Sequence, residues 1–235
     1  MAMQATTDTE VGSAAVDFAI TSRRSVRGFL DKAVDRETVV RLLELASCAP
    51  SGSNIQPWSA HVIVGDAVKR LSDDLLAAHV AGEPEDREYE YYPVNWRSPY
   101  IERRRKLGWQ LYELAGVARG DKEAGSRQRG RNYVFFGAPV ALVFAIDKDL
   151  EQGSWLDYGM FLQSFMIAAR GRGLDTCAQA AIANYPLIVR KHLAIPETQT
   201  IICGMAIGWA DPNEPTNALV PGREPVDAFT TFHGS

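Results

Sequence analysis

The alternation of hydrophobic and polar residues divides the chain into short helices and strands. Apolar residues recur at helical spacing over 36–47, a segment preceded by Asp35, which is a typical N-cap residue. Continuous apolar runs over 141–146 and 200–208 predict strands that are buried on both faces. Residues 156–170 are apolar almost all round, which predicts a central helix buried against a sheet or a second subunit.

Weaker patterns complete the outline of secondary structure. We expect further helices over 16–20, 67–79, 100–117 and 186–193, and further strands over 60–64 and 174–179. No linker or internal repeat interrupts these elements, so the sequence predicts a single domain over 15–235. Residues 1–14 are polar and are expected to form a disordered tail, whereas 210–235 should form an extended arm that needs a surface to pack against.

Composition and charge narrow the classes of function. The 235 residues are 46% hydrophobic and 23% charged, as in ordinary globular proteins, and the formal net charge of -4 argues against nucleic acid as a partner. No apolar run approaches the ~20 residues that span a bilayer, so we expect no membrane insertion. Three scattered cysteines without a CxxC spacing favour a cytoplasmic location, and four isolated histidines give no support to a metal site.

The segment 82–131 differs from the rest of the chain because tyrosines and tryptophans are interleaved with acidic and then basic residues. Three interpretations are open. It is an amphipathic excursion with its charges in water, a lid whose aromatic rings cover a planar ligand, or a surface for single-stranded nucleic acid. The equal load of acidic residues makes the third interpretation the weakest.

A cluster of cations near the N-terminus is the first candidate site. Arg23, Arg24 and Arg27, together with Ser22 and Ser25, lie within six residues of an acidic chain. Arginine suits a phosphate because its planar group donates two parallel hydrogen bonds and keeps its charge at any working pH. The alternative is a solvated loop.

Two further stretches could contact a flat ring. Residues 49–58 combine hydroxyls, amides and a glycine in one turn, and 174–181 end a predicted strand in small residues that let the backbone approach a ligand closely. The chain offers no recognisable side-chain nucleophile or general base. A cofactor is therefore expected to carry any reaction.

Taken in order, these stretches resemble the FMN-dependent nitroreductase family. The resemblance lies in Arg-Arg-Ser-Val-Arg-x-Phe at 23–29, Ala-Pro-Ser-Gly-Ser-Asn-x-Gln-Pro-Trp at 49–58, Gly-Leu-Asp-Thr-Cys-x-Gln-Ala at 173–180 and Gly-Arg-Glu-Pro at 222–225. It extends over about 16–232, and the aromatic segment is similar to the nitrobenzoate or nitroaromatic reductase branch.

The resemblance implies an α+β fold with a central, mainly antiparallel sheet flanked by helices. It also implies an intertwined homodimer in which central helices pack at the interface, C-terminal arms reach over the partner, and two FMN sites are built from both chains.

The resemblance also implies a role for particular residues. The FMN phosphate and part of the ring edge would be bound by Arg23, Arg24, Ser25, Arg27 and Arg223. From the other subunit, the ring and ribityl chain would be contacted by Pro50, Ser51, Gly52, Asn54 and Gln56. The backbone of Gln179, Ala180 and Ala181 would face the flavin N5, and the pyrimidine edge has three candidates in Gln128, Arg131 and Asn132.

Two positions depart from the pattern of better-known members. Pro221 stands where they carry a lysine, and Ala180-Ala181 stands where others carry Glu-Gly. A backbone N–H survives the second change, and Arg24 could replace the cation lost in the first.

The activity implied is a ping-pong hydride transfer from NADPH or NADH through the flavin N5 to a small planar aromatic substrate, with nitroaromatics reduced to hydroxylamines. Three alternatives share this fold or its cofactor. They are a reductive dehalogenase of halogenated phenols, an oxidative flavin dehydrogenase, and a non-catalytic flavin-binding or sensing protein.

Overall fold

A four-stranded antiparallel sheet forms the centre of the molecule. The computed structural model describes residues 2–234, with side chains described from residue 12 onward. The strands are β1 (Ser59–Val64), β2 (Val140–Asp147), β3 (Asp175–Gln179) and β4 (Gln199–Gly208), in the spatial order β1-β2-β4-β3. Every neighbouring pair is antiparallel, which confirms the predicted α+β class.

Helices surround this sheet. Their bounds are α1 (Ala2–Ser22), α2 (Arg36–Ala46), α3 (Asp66–Ala81), α4 (Tyr100–Leu114), α5 (Lys122–Gly130), α6 (Gln152–Arg170) and α7 (Pro186–Leu193). Asp35 caps α2 as predicted, since its carboxylate accepts a hydrogen bond from the Thr38 amide at 2.6 Å. None of the described helices is long and apolar enough to cross a membrane.

The sequence prediction and the structure differ at two helices. The expected helix over 16–20 is the end of the longer α1, whose backbone includes 2–14, the region expected to be a disordered tail; the side chains of 2–11 lie outside the described residues. Helix α5 has no counterpart among the predicted helices because Lys122–Gly130 has almost no apolar stripe. Its one local signal is Asp121, which caps the helix by accepting from the Ala124 amide at 2.8 Å.

The central strand β2 is buried on both faces, as its apolar run predicts. Ala141, Val143 and Ala145 face one half of the core, on which α3 and α7 pack. Val140, Leu142, Phe144 and Ile146 face the other half, on which α2 and α6 pack. The two halves together hold the sheet between layers of helices.

Helix α6 is buried along one side only. Tyr158, Phe161 and Phe165 pack into the core, whereas Leu156 is 71% exposed and Met160 is half-buried. The arm over 210–234 also carries exposed apolar side chains, since Phe229 and Phe232 are 71% and 84% exposed. Both features leave apolar surface uncovered in a single chain.

A partly buried ion pair attaches the aromatic segment to the body of the protein. The Glu88 carboxylate accepts two hydrogen bonds from Arg190 Nη2, at 2.7 and 2.9 Å, and one from the Ile201 amide at 3.1 Å. Next to it, the Tyr89 hydroxyl donates to the Ile202 carbonyl oxygen. These contacts fix the start of the segment against the start of β4.

We predict that Glu88→Gln destabilises the fold, and that the loss depends on pH. Burial raises the pKa of Glu88, but bonds from Ile201, Arg190 and Lys148 outweigh it and lower the pKa below its ordinary value of 4.5. A carboxylate whose pKa is lower in the folded state than in the unfolded state stabilises the fold at pH values above its unfolded-state pKa. This stabilisation is lost as the pH falls through its folded-state pKa. Urea unfolding should show a loss of about 3 kcal/mol at neutral pH that shrinks below about pH 4.5.

The matched control is Glu44→Gln. Glu44 is paired with Arg41 on the surface, and both side chains are more than half exposed. Its unfolding curve should follow the wild type at every pH. A Glu88→Gln curve that did the same would contradict the anchoring role of Glu88.

Candidate active site

The arginine cluster lies against the edge strand β3. Ser25 forms a parallel bridge with Thr176, and the Val26 amide donates to the Thr176 carbonyl oxygen at 3.1 Å. Val26 is fully buried and Phe29 nearly so. These two apolar side chains therefore anchor a segment whose arginines lie between and beside them.

The backbone of this segment is held by one buried amide. Asn217 Oδ1 accepts from the Arg27 amide at 2.7 Å, while Asn217 Nδ2 donates to the carbonyl oxygens of Gly28 and Asp211 at 2.8 and 3.0 Å. Asn217 is 6% exposed, and both its side-chain oxygen and its side-chain nitrogen form hydrogen bonds within the protein. Sequence reasoning missed it because its partners lie far away along the chain.

A salt bridge holds the same segment from the other side. Arg131 donates to the Arg27 carbonyl oxygen at 2.6 Å and pairs with Glu214 at 2.7 Å. Gly28 is required here, since a Cβ at this position would overlap the Glu214 side chain. Arg131, a sequence candidate for the pyrimidine edge, is therefore committed to holding Arg27 and Glu214.

Two arginines distant in sequence come together at this segment. Burial lowers the pKa of Arg23, and the neighbouring charge of Arg223 lowers it further. Arg223 Nη1 donates to the carbonyl oxygens of Pro221 and Gly222, and no carboxylate pairs with either arginine within the described residues. Two adjacent cations without a counter-ion form a site suited to an anion.

Cys177 lies among these arginines. Burial raises the pKa of its thiol to about 11, although Arg27, a hydrogen bond with Ser25 and Arg23 act to lower it. The thiol is therefore neutral near pH 7 and is a poor nucleophile. Its contacts place Ser25, Arg23 and Arg27 in one cluster, as the sequence motif suggests.

Arg24 lies near a buried carboxyl, that of Asp175. Burial raises the pKa of Asp175, whereas the charges of Arg170 and Arg24 lower it. Arg170 also forms a direct ion pair with Asp175 at 3.2 Å. Arg170 therefore pairs with the buried Asp175 carboxylate at the start of β3, and Arg24 lies near enough to lower the pKa of the same carboxyl.

A cavity of about 320 Å³ opens beside Arg27. Its wall includes Cys177, Gln179, Ala180 and Ala181 at the end of β3, and the segment 89–92 closes another side. Gln179 Nε2 donates to the Asn132 carbonyl oxygen at 2.6 Å, but the buried Gln179 Oε1 has no hydrogen-bond partner among the described residues. A ligand that offers an N–H or O–H group would satisfy this acceptor.

A larger cavity of about 610 Å³ adjoins the first one and shares Arg27, Tyr92 and Asn132 with it. Helices α4 and α5 form most of its wall, so the aromatic segment lines a cavity, as the lid interpretation expects. Gln128, another sequence candidate, also contacts this larger cavity.

The loop over 50–56 lies elsewhere in the chain. Its Gly52 amide donates to Asp157 Oδ2 of α6 at 2.9 Å, and its Gln56 amide donates to Ser51 Oγ at 3.0 Å. None of the candidate residues Pro50, Ser51, Gly52, Asn54 and Gln56 lines either cavity. A single chain therefore does not unite the two parts of the site that the sequence motifs suggest.

Comparison with known proteins places this arrangement in a family. The model of the nitroreductase family matches residues 20–209, which is most of the chain. The chain is 40% identical to a 4-nitrobenzoate reductase of Pseudomonas putida over 218 residues, covering 93% of this chain and 95% of the relative.

Solved structures agree with the sequence match. The fold is similar to the FMN and NADPH-dependent nitroreductase NfnB of Sphigopyxis sp. strain HMH, with a TM-score of 0.90 and 36% identity over 94% of this chain and 99% of that one. It is also similar to the FMN-dependent nitroreductase NfnB of Mycobacterium smegmatis in complex with NADPH, with a TM-score of 0.90 and 30% identity over 94% and 99% of the two chains. The chain belongs to the nitroreductase family.

Proposed function

We propose that this protein is an FMN-dependent oxidoreductase that takes a hydride from NADPH or NADH and reduces nitroaromatic compounds or related planar acceptors. The observation that carries the proposal is the pair of uncompensated cations, Arg23 and Arg223, of which Arg23 lies near Cys177. Cys177 and Gln179 line the smaller cavity, and the buried Gln179 Oε1 has no hydrogen-bond partner among the described residues. The relatives named as nitroreductases support the reaction, and their 4-nitrobenzoate and NADPH specify the kinds of molecule to be tested.

The residues present fit FMN. Its phosphate would be held by Arg23 and Arg223, with Ser25, Arg27 and the nearby Arg24 in support. Its ring would lie over the end of β3, where Ala180 and Ala181 leave room for close approach and Gln179 Oε1 would accept from a ring N–H. Asn132, on the wall of both cavities, is a further candidate for the ring edge.

FMN, when bound, supplies the hydride transfer between the nicotinamide and the nitro group. The chain's own residues bind and orient the reactants and exclude water. Tyr89 and Tyr91 line the smaller cavity, and burial raises the pKa of both hydroxyls, so they remain neutral walls on which a flat ring can pack. Both substrates would pack in turn on these same walls, so the oxidised nicotinamide must leave before the nitroaromatic binds. This is the proposed ping-pong order.

We propose further that the protein acts as an intertwined homodimer, in which Pro50, Ser51, Gly52, Asn54 and Gln56 of one chain complete the FMN site of the other. Three observations support this: the loop over 50–56 lines neither cavity of its own chain, α6 exposes Leu156, and the C-terminal arm exposes Phe229 and Phe232.

We predict that Leu156→Glu separates the two chains, because it places a charge on the exposed apolar face of α6. Sedimentation equilibrium should then show dissociation to monomers and loss of FMN, and a wild-type protein with the mass of one chain would contradict the proposal.

A cytoplasmic location is also part of the proposal. The cysteines Cys48, Cys177 and Cys203 are all free, and burial raises the pKa of the Cys203 thiol to about 12. Free thiols of this kind are ordinary in a reducing compartment.

The proposed function is tested by the absorption spectrum of the purified, dialysed protein. Flavin bands should be present, should bleach when NADPH or NADH is added without oxygen, and should recover when 4-nitrobenzoate follows. Yellow protein that never bleaches would indicate a flavin-binding protein without this activity. Protein that cannot be loaded with FMN would overturn the proposal.

We predict that Arg23→Ala weakens FMN binding. A charge-assisted hydrogen bond contributes about 1.5–3 kcal/mol, so the Kd for FMN should rise about tenfold or more. Fluorescence titration of the apoprotein measures this change directly. Arg41→Ala is the matched control, because Arg41 is exposed and paired with Glu44 on α2, and its Kd should equal that of the wild type. Equal Kd values for both variants would contradict the phosphate assignment.

A further inference from the structure

The charged side chains that line the cavity of about 610 Å³ between α4 and α5 are all positive. Arg27, Arg104, Arg105 and Arg129 line it, and its lining includes no aspartate or glutamate among the described residues. The whole chain carries 29 acidic residues against 25 lysines and arginines. Positive charge is therefore concentrated in this cavity within an acidic protein, which favours an anionic ligand there.

The arginines of this cavity differ from their neighbours in having no counter-ion. Arg103, Arg127 and Arg131 form ion pairs with Glu224, Glu123 and Glu214. For Arg104, Arg105 and Arg129, the described residues provide no carboxylate partner. Arg103, Arg127 and Arg131, which do not line the cavity, are thus neutralised by carboxylates, and the arginines that line it remain available to bind an anion.

Two of these free guanidinium groups are held in place by aromatic rings. Arg129 Nη1 donates to the Tyr112 hydroxyl at 3.3 Å. Arg104 lies over the Trp96 ring, with 4.7 Å between its guanidinium carbon and the ring centroid. Such contacts orient a guanidinium without neutralising it.

The same cavity offers flat apolar surfaces. Trp109 lines it, is 50% exposed, and has its ring within 5.2 Å of the Arg119 guanidinium. Tyr112 and Phe136 line other parts of the wall. Exposed aromatic rings beside cations are suited to stacking with a nucleobase next to a phosphate.

Size and position favour a long ligand. The cavity volume lies within the ~300–1,000 Å³ typical of sites for drug-sized molecules and exceeds what one substituted benzene ring requires. Arg27, Tyr92 and Asn132 line both this cavity and the smaller one beside Gln179. One molecule can therefore place a reactive ring in the smaller cavity and a charged end in the larger one.

We propose that the larger cavity binds the adenosine 2′-phosphate end of NADPH, with Arg105 and Arg129 as ligands of the phosphate and Trp109 as the stacking surface for adenine. The proposal rests on the proposed function, which supplies the hydride donor. The 2′-phosphate is the group that distinguishes NADPH from NADH, so these arginines make the enzyme prefer NADPH.

The first test measures binding without any reaction. Adenosine 2′,5′-bisphosphate and AMP are titrated into the protein by calorimetry. The bisphosphate should bind more tightly than AMP, and Arg129→Gln and Arg105→Gln should each weaken the bisphosphate about tenfold while leaving AMP unchanged. Arg127→Gln is the matched control on the same helix, since Arg127 is paired with Glu123 and exposed, and it should match the wild type.

The second test measures flavin reduction by each nicotinamide. In Arg129→Gln, kcat/KM for NADPH should fall about tenfold while that for NADH stays unchanged. An equal change for both donors, or bisphosphate binding no tighter than AMP in the wild type, overturns the assignment. A variant that raises KM only for 4-nitrobenzoate, and not for nitrobenzene, also overturns it, because the arginines then bind the substrate carboxylate.

Failure of the proposed function gives a different result. A wild-type protein that binds no FMN would fail the spectral test but would still show whether the bisphosphate binds through Arg129. The calorimetric comparison therefore tests the cavity on its own.

Discussion

The arrangement of the site depends on how the backbone of Arg27 and Gly28 is held. Like-charged side chains repel one another, so a cluster of arginines does not assemble without external support. Asn217 provides it by accepting from the Arg27 amide and donating to the Gly28 carbonyl oxygen, and the Arg131–Glu214 pair holds the other side. Because these groups are partly or fully buried, each hydrogen bond is difficult to replace by water.

The sheet gives this support a rigid base. Strands β2 and β4 are buried on both faces, and β3 lies at the edge next to β4. The arginine segment attaches at that edge through Ser25 and Val26. The unpaired backbone groups of an edge strand can pair with another chain and promote aggregation. Here they bind the arginine segment instead.

Charge is distributed so that anions are drawn to one region of an acidic protein. Arg23, which neighbours Arg223, lies near Cys177 of the smaller cavity, and the free arginines of α4 and α5 line the larger cavity. Arg27 belongs to both cavities, so the positive potential is continuous between them. A phosphate-bearing cofactor and a phosphorylated hydride donor are compatible with this single field.

The sequence by itself determined the strands, most of the helices and the arginine motif, because hydrophobic period and N-cap residues such as Asp35 act over a few neighbouring residues. It did not reveal α5, whose polar composition carries no apolar stripe. Only the tertiary structure decided that Arg131 pairs with Glu214 and donates to the Arg27 carbonyl oxygen, and that Glu88 anchors the aromatic segment. It also decided that the loop over 50–56 lies apart from the two cavities. These are contacts between residues far apart in the chain, and they depend on packing that no local pattern encodes.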